Sequence, residues 1–316
     1  MPAPVGDRLR RQLIAARAAA VPVWRDWQAD APARRMRDGW AQAVDADAAA
    51  DHAHALLSDE AWIAALFAPL VAALGTDPLF DPPFRVNRTG GRIGMLVHEC
   101  PVASLTASLL AVDAMRASPP PDTVVVAGRM SVMRVHAAGG ACLHRWRASR
   151  VDGDFSLRAS ACAERLPSVA LADGDVHRID GRTDAIQFDG AVRDVVTLTA
   201  TIRLDAAPVM REYAREDGRP LRAATLDEQA ARSQMLLTLL RAAPPGGTNA
   251  AFEAATRDPA FFVRWDAMRQ WLSLDADAAA PRLAEMAMGD PNADIRDAAA
   301  ATLGQVERLR RQRRAA

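Results

Sequence analysis

The sequence contains no lysine, and all 39 of its basic residues are arginine. A Schiff-base enzyme needs a lysine amine, a P-loop needs its phosphate-cradling Lys, and a protein kinase needs one paired with a glutamate, so all three classes are excluded. A surplus of one charge is missing as well, since 39 acidic residues balance the basic ones. That balance removes the electrostatic footprint of a nucleic-acid-binding protein. Cysteine is scarce: Cys100, Cys142 and Cys162 are odd in number, widely spaced and form no CxxC pair of the kind that chelates zinc. A reducing compartment suits them best. The longest apolar run, Ala61 to Leu74, is interrupted by Pro69 and is shorter than the roughly 20 residues of a membrane span. No signal-type apolar core follows the charged start. The expectation is a cytoplasmic protein with neither a membrane nor a nucleic acid as partner.

What is present points to more than one packing unit, because 316 residues with half of them hydrophobic exceed the usual domain of roughly 100 to 200 residues. From Asp7 to Leu74 apolar residues recur at helical steps, as in Trp62, Leu66, Leu70 and Leu74, and the pattern stops at Gly75, Pro78 and Pro82. Residues 1–83 are therefore expected to form a helical region. Residues 84–210 carry short β-branched runs between Gly, Pro and Asp clusters: Ile93 to Val97, Thr123 to Ala127, Met130 to Val135, Ser168 to Leu171 and Val195 to Leu204. Without crossover helices between them, these strands predict an antiparallel barrel or sandwich. Leu105 to Met115 reads either as a strand or as a short helix. After a charged connector around Glu212 to Arg222, helical periodicity returns over 222–316, which makes the fold class α+β.

Within that last region Asp258, Pro259, Val263, Arg264 and Ala267 recur 32 residues later (258 to 290) as Asp290, Pro291, Ile295, Arg296 and Ala299. An Asp-Pro that opens a helix, followed by an aliphatic-Arg pair and a small residue, resembles the HEAT-like helical repeats. The resemblance implies stacked helical units that cannot bury their apolar faces alone, and so a surface for a protein partner.

Histidine is also rare, with six in the chain. His52 and His54 stand two apart, on different faces of one helix, which disfavours a shared metal. Around the others the row reads Arg134-Val135-His136-Ala137-Ala138-Gly139-Gly140-Ala141-Cys142-Leu143-His144-Arg145-Trp146 and later Ala172-Asp173-Gly174-Asp175-Val176-His177. This arrangement resembles the two metal motifs of the cupin β-barrels. His144 matches the first histidine of the first motif, with Trp146 where the second would stand and no glutamate at the family spacing. Gly174 and His177 match the second motif, with Ala172 in place of its proline.

The cupin resemblance implies a divalent metal, Fe(II) or another, held by His144 and His177. A third ligand would come from His136, His98 or Glu99. Because strand side chains alternate, only one of His98 and Glu99 can face a barrel interior. Two functions follow from it. One is a metal-dependent non-haem oxygenase acting on a small molecule or peptide in the barrel. The other is a metal-free binding or adaptor protein that uses the barrel and the HEAT-like helices to engage a protein partner.

Overall fold

The computed structural model of the protein describes residues 5–82, 84–117, 121–151, 155–157, 160–242 and 248–315. Four helices come first: α1 (Val5–Ala29), α2 (Ala31–Ala41), α3 (Ala46–Ser58) and α4 (Glu60–Thr76). Strands β1 (Arg85–Thr89), β2 (Arg92–Glu99) and β3 (Ala103–Leu110) lead to α5 (Val112–Ala117). Next come β4 (Thr123–Val126), β5 (Met130–Ala137), β6 (Cys142–Arg147), β7 (Glu164–Ala170), β8 (Val176–Asp180) and β9 (Asp184–Asp189). The chain then forms β10 (Val195–Ile202), β11 (Val209–Ala214) and β12 (Pro220–Thr225). It ends in α6 (Glu228–Ala242), α7 (Asn249–Ala255), α8 (Phe261–Leu274), α9 (Ala276–Gly289) and α10 (Ala293–Ala315). Helices at both ends and antiparallel strands between them agree with the expected α+β class. No single helix is long and apolar enough to cross a membrane; the pair α3 and α4 passes on length and composition only, bent by 75°.

The chain divides into two compact units. The first holds residues 1–121, 129–145 and 165–206. Its helices begin where short acidic side chains satisfy free backbone N–H groups: Asp45 accepts from Ala48 N at 2.7 Å and Asp59 from Trp62 N at 2.9 Å. Helical spacing then sends Ala33, Met36 and Trp40 of α2, and Trp62, Leu66 and Leu70 of α4, into one core. That core is shared with a six-stranded antiparallel sheet of order β1-β2-β3-β10-β5-β8, whose helix-facing side carries Leu105, Val132, Leu198, Ala200 and Ile202. Arg134 ties the two layers by donating to the Leu57 carbonyl at 3.0 Å, both within this buried seam. On the other side of the sheet Met133, Val135, Ile179 and Val195 meet Leu143 of β6 and Ile186 and Phe188 of β9, strands that continue in the order β9-β6-β7. Leu105 to Met115 resolves into both alternatives, since β3 ends at Leu110 and α5 starts at Val112.

The second unit holds residues 122–128, 146–164 and 207–316. The expected connector around Glu212 to Arg222 is instead part of the antiparallel hairpin β11–β12, paired through β11 with β4. Alternation buries Val209, Arg211 and Tyr213 on one face. Gly218 closes the turn at φ +70°, where a Cβ would stand 2.0 Å from the Ala163 carbonyl oxygen, so only glycine fits.

The recurring segments take equivalent positions in α8 and α10. Val263 and Ile295 are both buried, as are Ala267 and Ala299. Arg264 Nη1 donates to the carbonyls of Asp258 and Pro259 at 3.0 and 2.9 Å, and Arg296 Nη1 to those of Asp290 and Pro291 at 2.6 and 3.0 Å. Each arginine thus satisfies the turn that opens its own helix. The core around them gathers Phe252, Met268, Trp271, Leu283 and Met286. Because Val263 is fully enclosed there, Val263→Ala is expected to cost about 1–3 kcal/mol, read as a lower urea midpoint with an unchanged slope; a shift within error would mean that the site collapses around the gap.

Candidate functional site

Between the two strand layers of the first unit lies a cavity of about 650 Å³, within the roughly 300–1,000 Å³ usual for small-molecule sites. Strand alternation decides what lines it. On β10 the apolar residues Leu198, Ala200 and Ile202 face the helices, which turns Thr197 and Thr199 toward the cavity. The same alternation on β5 turns Ser131 and Met133 inward beside them. Ser108, which pairs with Thr197 in register and is 2% exposed, adds another hydroxyl to this face. The opposite wall carries the apolar side chains of Ile186 and Phe188, with Gln187 between them.

At the mouth the turn after β1 lies against α5, with Gly91 so close to Ala114 that a Cβ would stand 2.2 Å from the alanine methyl. This packing brings Arg92 of β2 and Arg116 of α5 to the rim. Arg92 Nη2 donates to Ser108 Oγ at 3.1 Å, and Arg116 Nη2 to the Val192 carbonyl at 3.3 Å. Asp189 also lines the cavity, and its Oδ2 lies 3.6 Å from His144 Nε2.

The five residues named as ligand candidates lie apart. Leu143 packs into the interior, so its neighbour His144 projects from the opposite face of β6, where Nδ1 meets Ser168 Oγ at 2.6 Å. His177 shares the face of Ile179, a cavity-lining residue. Its Nε2 is buried without a hydrogen-bond partner and lies 3.8 Å from Asp175 Oδ2. His136 falls at a register shift between β5 and β10 and is exposed. A register shift between Leu96 and His98 resets the alternation of β2. It stacks His98 on Trp40, ring centroids 5.8 Å apart and planes 9° apart. Glu99 bonds Arg203 and Arg85, and its hydrogen bond to Arg203 is the main reason its carboxyl stays below the usual glutamate range. Among the described residues no three His, Cys, Asp or Glu side chains gather as a metal site would require. The donor set implied by the cupin motifs therefore does not fit a metal ion.

No protein-family profile and no curated protein matches the chain. Several solved structures overlap with it in part. The 7S globulin of Momordica charantia is 12% identical over 42% of this chain and 35% of its own, with a TM-score of 0.27. The capsular polysaccharide assembling protein of Staphylococcus aureus is 13% identical over 52% of this chain and 40% of its own, also at 0.27. A sugar phosphate isomerase from a cupin superfamily, from Silicibacter pomeroyi, is 11% identical over 46% of this chain and 87% of its own, at 0.23. The chain thus spans well under half the length of the first two. Overlaps at such scores carry no argument about ligand or reaction.

The sequence signal for the cavity was the Thr-Leu-Thr-Ala-Thr alternation of β10, which announces a strand but not which of its two faces is enclosed. Arg92 and Arg116 gave no signal, because their meeting depends on the packing of α5 against the first turn.

Proposed function

We propose that this protein is a small-molecule-binding protein of cupin-like build. It holds an organic ligand between its strand layers without a metal, and its C-terminal helices, which resemble HEAT-like units, present a surface to a protein partner. The observation that carries this reading is the lining of the cavity. Its polar groups are mainly hydroxyls and guanidinium groups, which recognise a ligand by hydrogen bonding, whereas His144, His136, His98 and Glu99 are engaged or exposed elsewhere. The equivalent Asp-Pro and Arg positions of α8 and α10 support the repeat reading of the helices.

A non-haem oxygenase acting on a small molecule or peptide would need three side chains converging on Fe(II) or another divalent ion. His177 faces inward and His144 outward, so no metal-centred step follows from their arrangement.

The test combines metal analysis of protein purified without chelator with a ligand screen by thermal shift. Substoichiometric metal, unchanged in His144→Ala and His177→Ala, is the expected result. Ligands that raise the melting temperature should lose that effect in Thr199→Trp, whose indole would occupy the cavity. One equivalent of divalent metal that disappears in His177→Ala would overturn the reading in favour of the oxygenase.

A further inference from the structure

We infer that the cavity takes an amphipathic small molecule with an anionic head, a carboxylate or phosphate, whose head is held by Arg92 and Arg116 and whose apolar body lies against Ile186, Phe188 and Met133. This rests on the reading of the cavity as a ligand site and adds the class of ligand.

The chemistry comes from the distribution of charge along the rim. Arg92 and Arg116 both line the cavity, and among the described residues neither guanidinium forms a salt bridge with a carboxylate. Several arginines elsewhere in the same unit are paired with carboxylates. Arg203 is paired with Glu99, Arg182 with Asp180 and Arg178 with Asp47 and Asp51. Asp189, the acidic side chain at the rim, faces His144. The mouth therefore presents two cations whose donors are used only on neutral acceptors.

Arg92 is exposed, but its guanidinium turns onto the cavity face of the sheet. In register it lies opposite Leu110, and its Nη2 reaches the hydroxyl of Ser108, a residue 2% exposed. The next position on the same face of β2 is Gly94, where a Cβ would stand 3.9 Å from that hydroxyl. With no side chain there, space is left beside the guanidinium and above the hydroxyl row. A guanidinium donates in a planar fork that matches carboxylate or phosphate oxygens. Below this polar end the wall of Ile186 and Phe188 and the Met133 side chain suit methylene groups. A ligand charged at one end and apolar at the other satisfies both parts of the surface at once.

The experiment measures binding of decanoate, decyl phosphate and decanol by calorimetry to the full-length protein, to Arg92→Gln, to Arg116→Gln and to Thr199→Trp. The two anions should bind more tightly than decanol, and Arg92→Gln should weaken them by roughly tenfold to a hundredfold, the range expected for losing a hydrogen bond to a charged group. Decanol binding should stay unchanged in Arg92→Gln, which also shows that the variant is folded. Decanol binding as well as decanoate, with sensitivity to Thr199→Trp but not to Arg92→Gln, would overturn the anionic head and leave the cavity reading standing. If none of the three probes binds, the inference fails; if Thr199→Trp also leaves every thermal shift in the ligand screen unchanged, the cavity reading fails with it.

Discussion

Arg264→Met is expected to destabilise the C-terminal helices by about 3–5 kcal/mol, the range for removing one partner of a buried ion pair. Arg264 Nε and Nη2 meet the Asp290 carboxylate at 2.9 and 2.7 Å, with side-chain exposures of 9% and 1%. Without the guanidinium the carboxylate keeps the Asn292 N–H at 2.9 Å, too little for an enclosed charge. The equivalent Arg296 contacts backbone carbonyls of its own turn, and Arg296→Met should cost only about 1–2 kcal/mol. Urea unfolding of both variants checks the contrast. The double variant Arg264→Met with Asp290→Leu should recover much of the loss, because the pair is worth little beyond the cost of leaving half of it buried. Equal losses for Arg264 and Arg296 would mean that the link between the two recurring segments contributes nothing.

That link was half legible. The five-position recurrence sets Val263 and Ile295 in register, and both are buried, because a fixed period returns a residue to the same environment. The pairing of the first arginine with the second aspartate could not be read, since it depends on how one helix pair stacks on the next. The hairpin β11–β12 was missed for a related reason. Its inward positions Val209, Arg211 and Tyr213 alternate correctly, yet an arginine in the middle reads as solvent-facing until Arg211 is seen 1% exposed and donating to the Tyr213 hydroxyl and the Ser149 carbonyl, each at 2.8 Å.

The site was less legible than the fold. Histidine spacing along the chain suggested ligands, but whether two strand residues face one another is set by the face each strand presents, and Leu143 and Ile179 fix those faces so as to part His144 from His177. The cavity was hidden by a reversal of the usual expectation. The apolar side of β10 is taken by the helical layer, and the hydroxyl side encloses the cavity. Sequence alternation marks two faces without naming which one is covered by α2 to α4.

That helical layer has its own acid-sensitive point, centred on Trp40. The indole is fully buried, so Trp40→Ala is expected to cost about 3–5 kcal/mol. His98 stacks on one face, and the ring of His52 stands edge-on at 6.1 Å, seated so tightly over Gly39 that a Cβ there would lie 2.0 Å from it. Burial is the main cause holding both imidazoles below the ordinary histidine range, with Arg37 adding to it at His98 and Arg35 at His52. Opposing contributions come from Glu99 at His98 and from the Met36 carbonyl at His52. A depressed pKa in the folded state means that the neutral form is the one that fits. Its contribution to stability is complete above the unfolded value of about 6.5 and is lost as pH falls through the lowered folded value. Stability should therefore decline between about pH 7 and about pH 5, before the carboxylates titrate. His98→Phe keeps an aromatic ring against Trp40 but cannot take up a proton, so its urea midpoint should fall less over that interval than the wild-type midpoint, with His52 accounting for part of what remains. An identical slope in His98→Phe would show that the stacked imidazole is not what acid disrupts, and Trp40→Ala would then matter through packing alone.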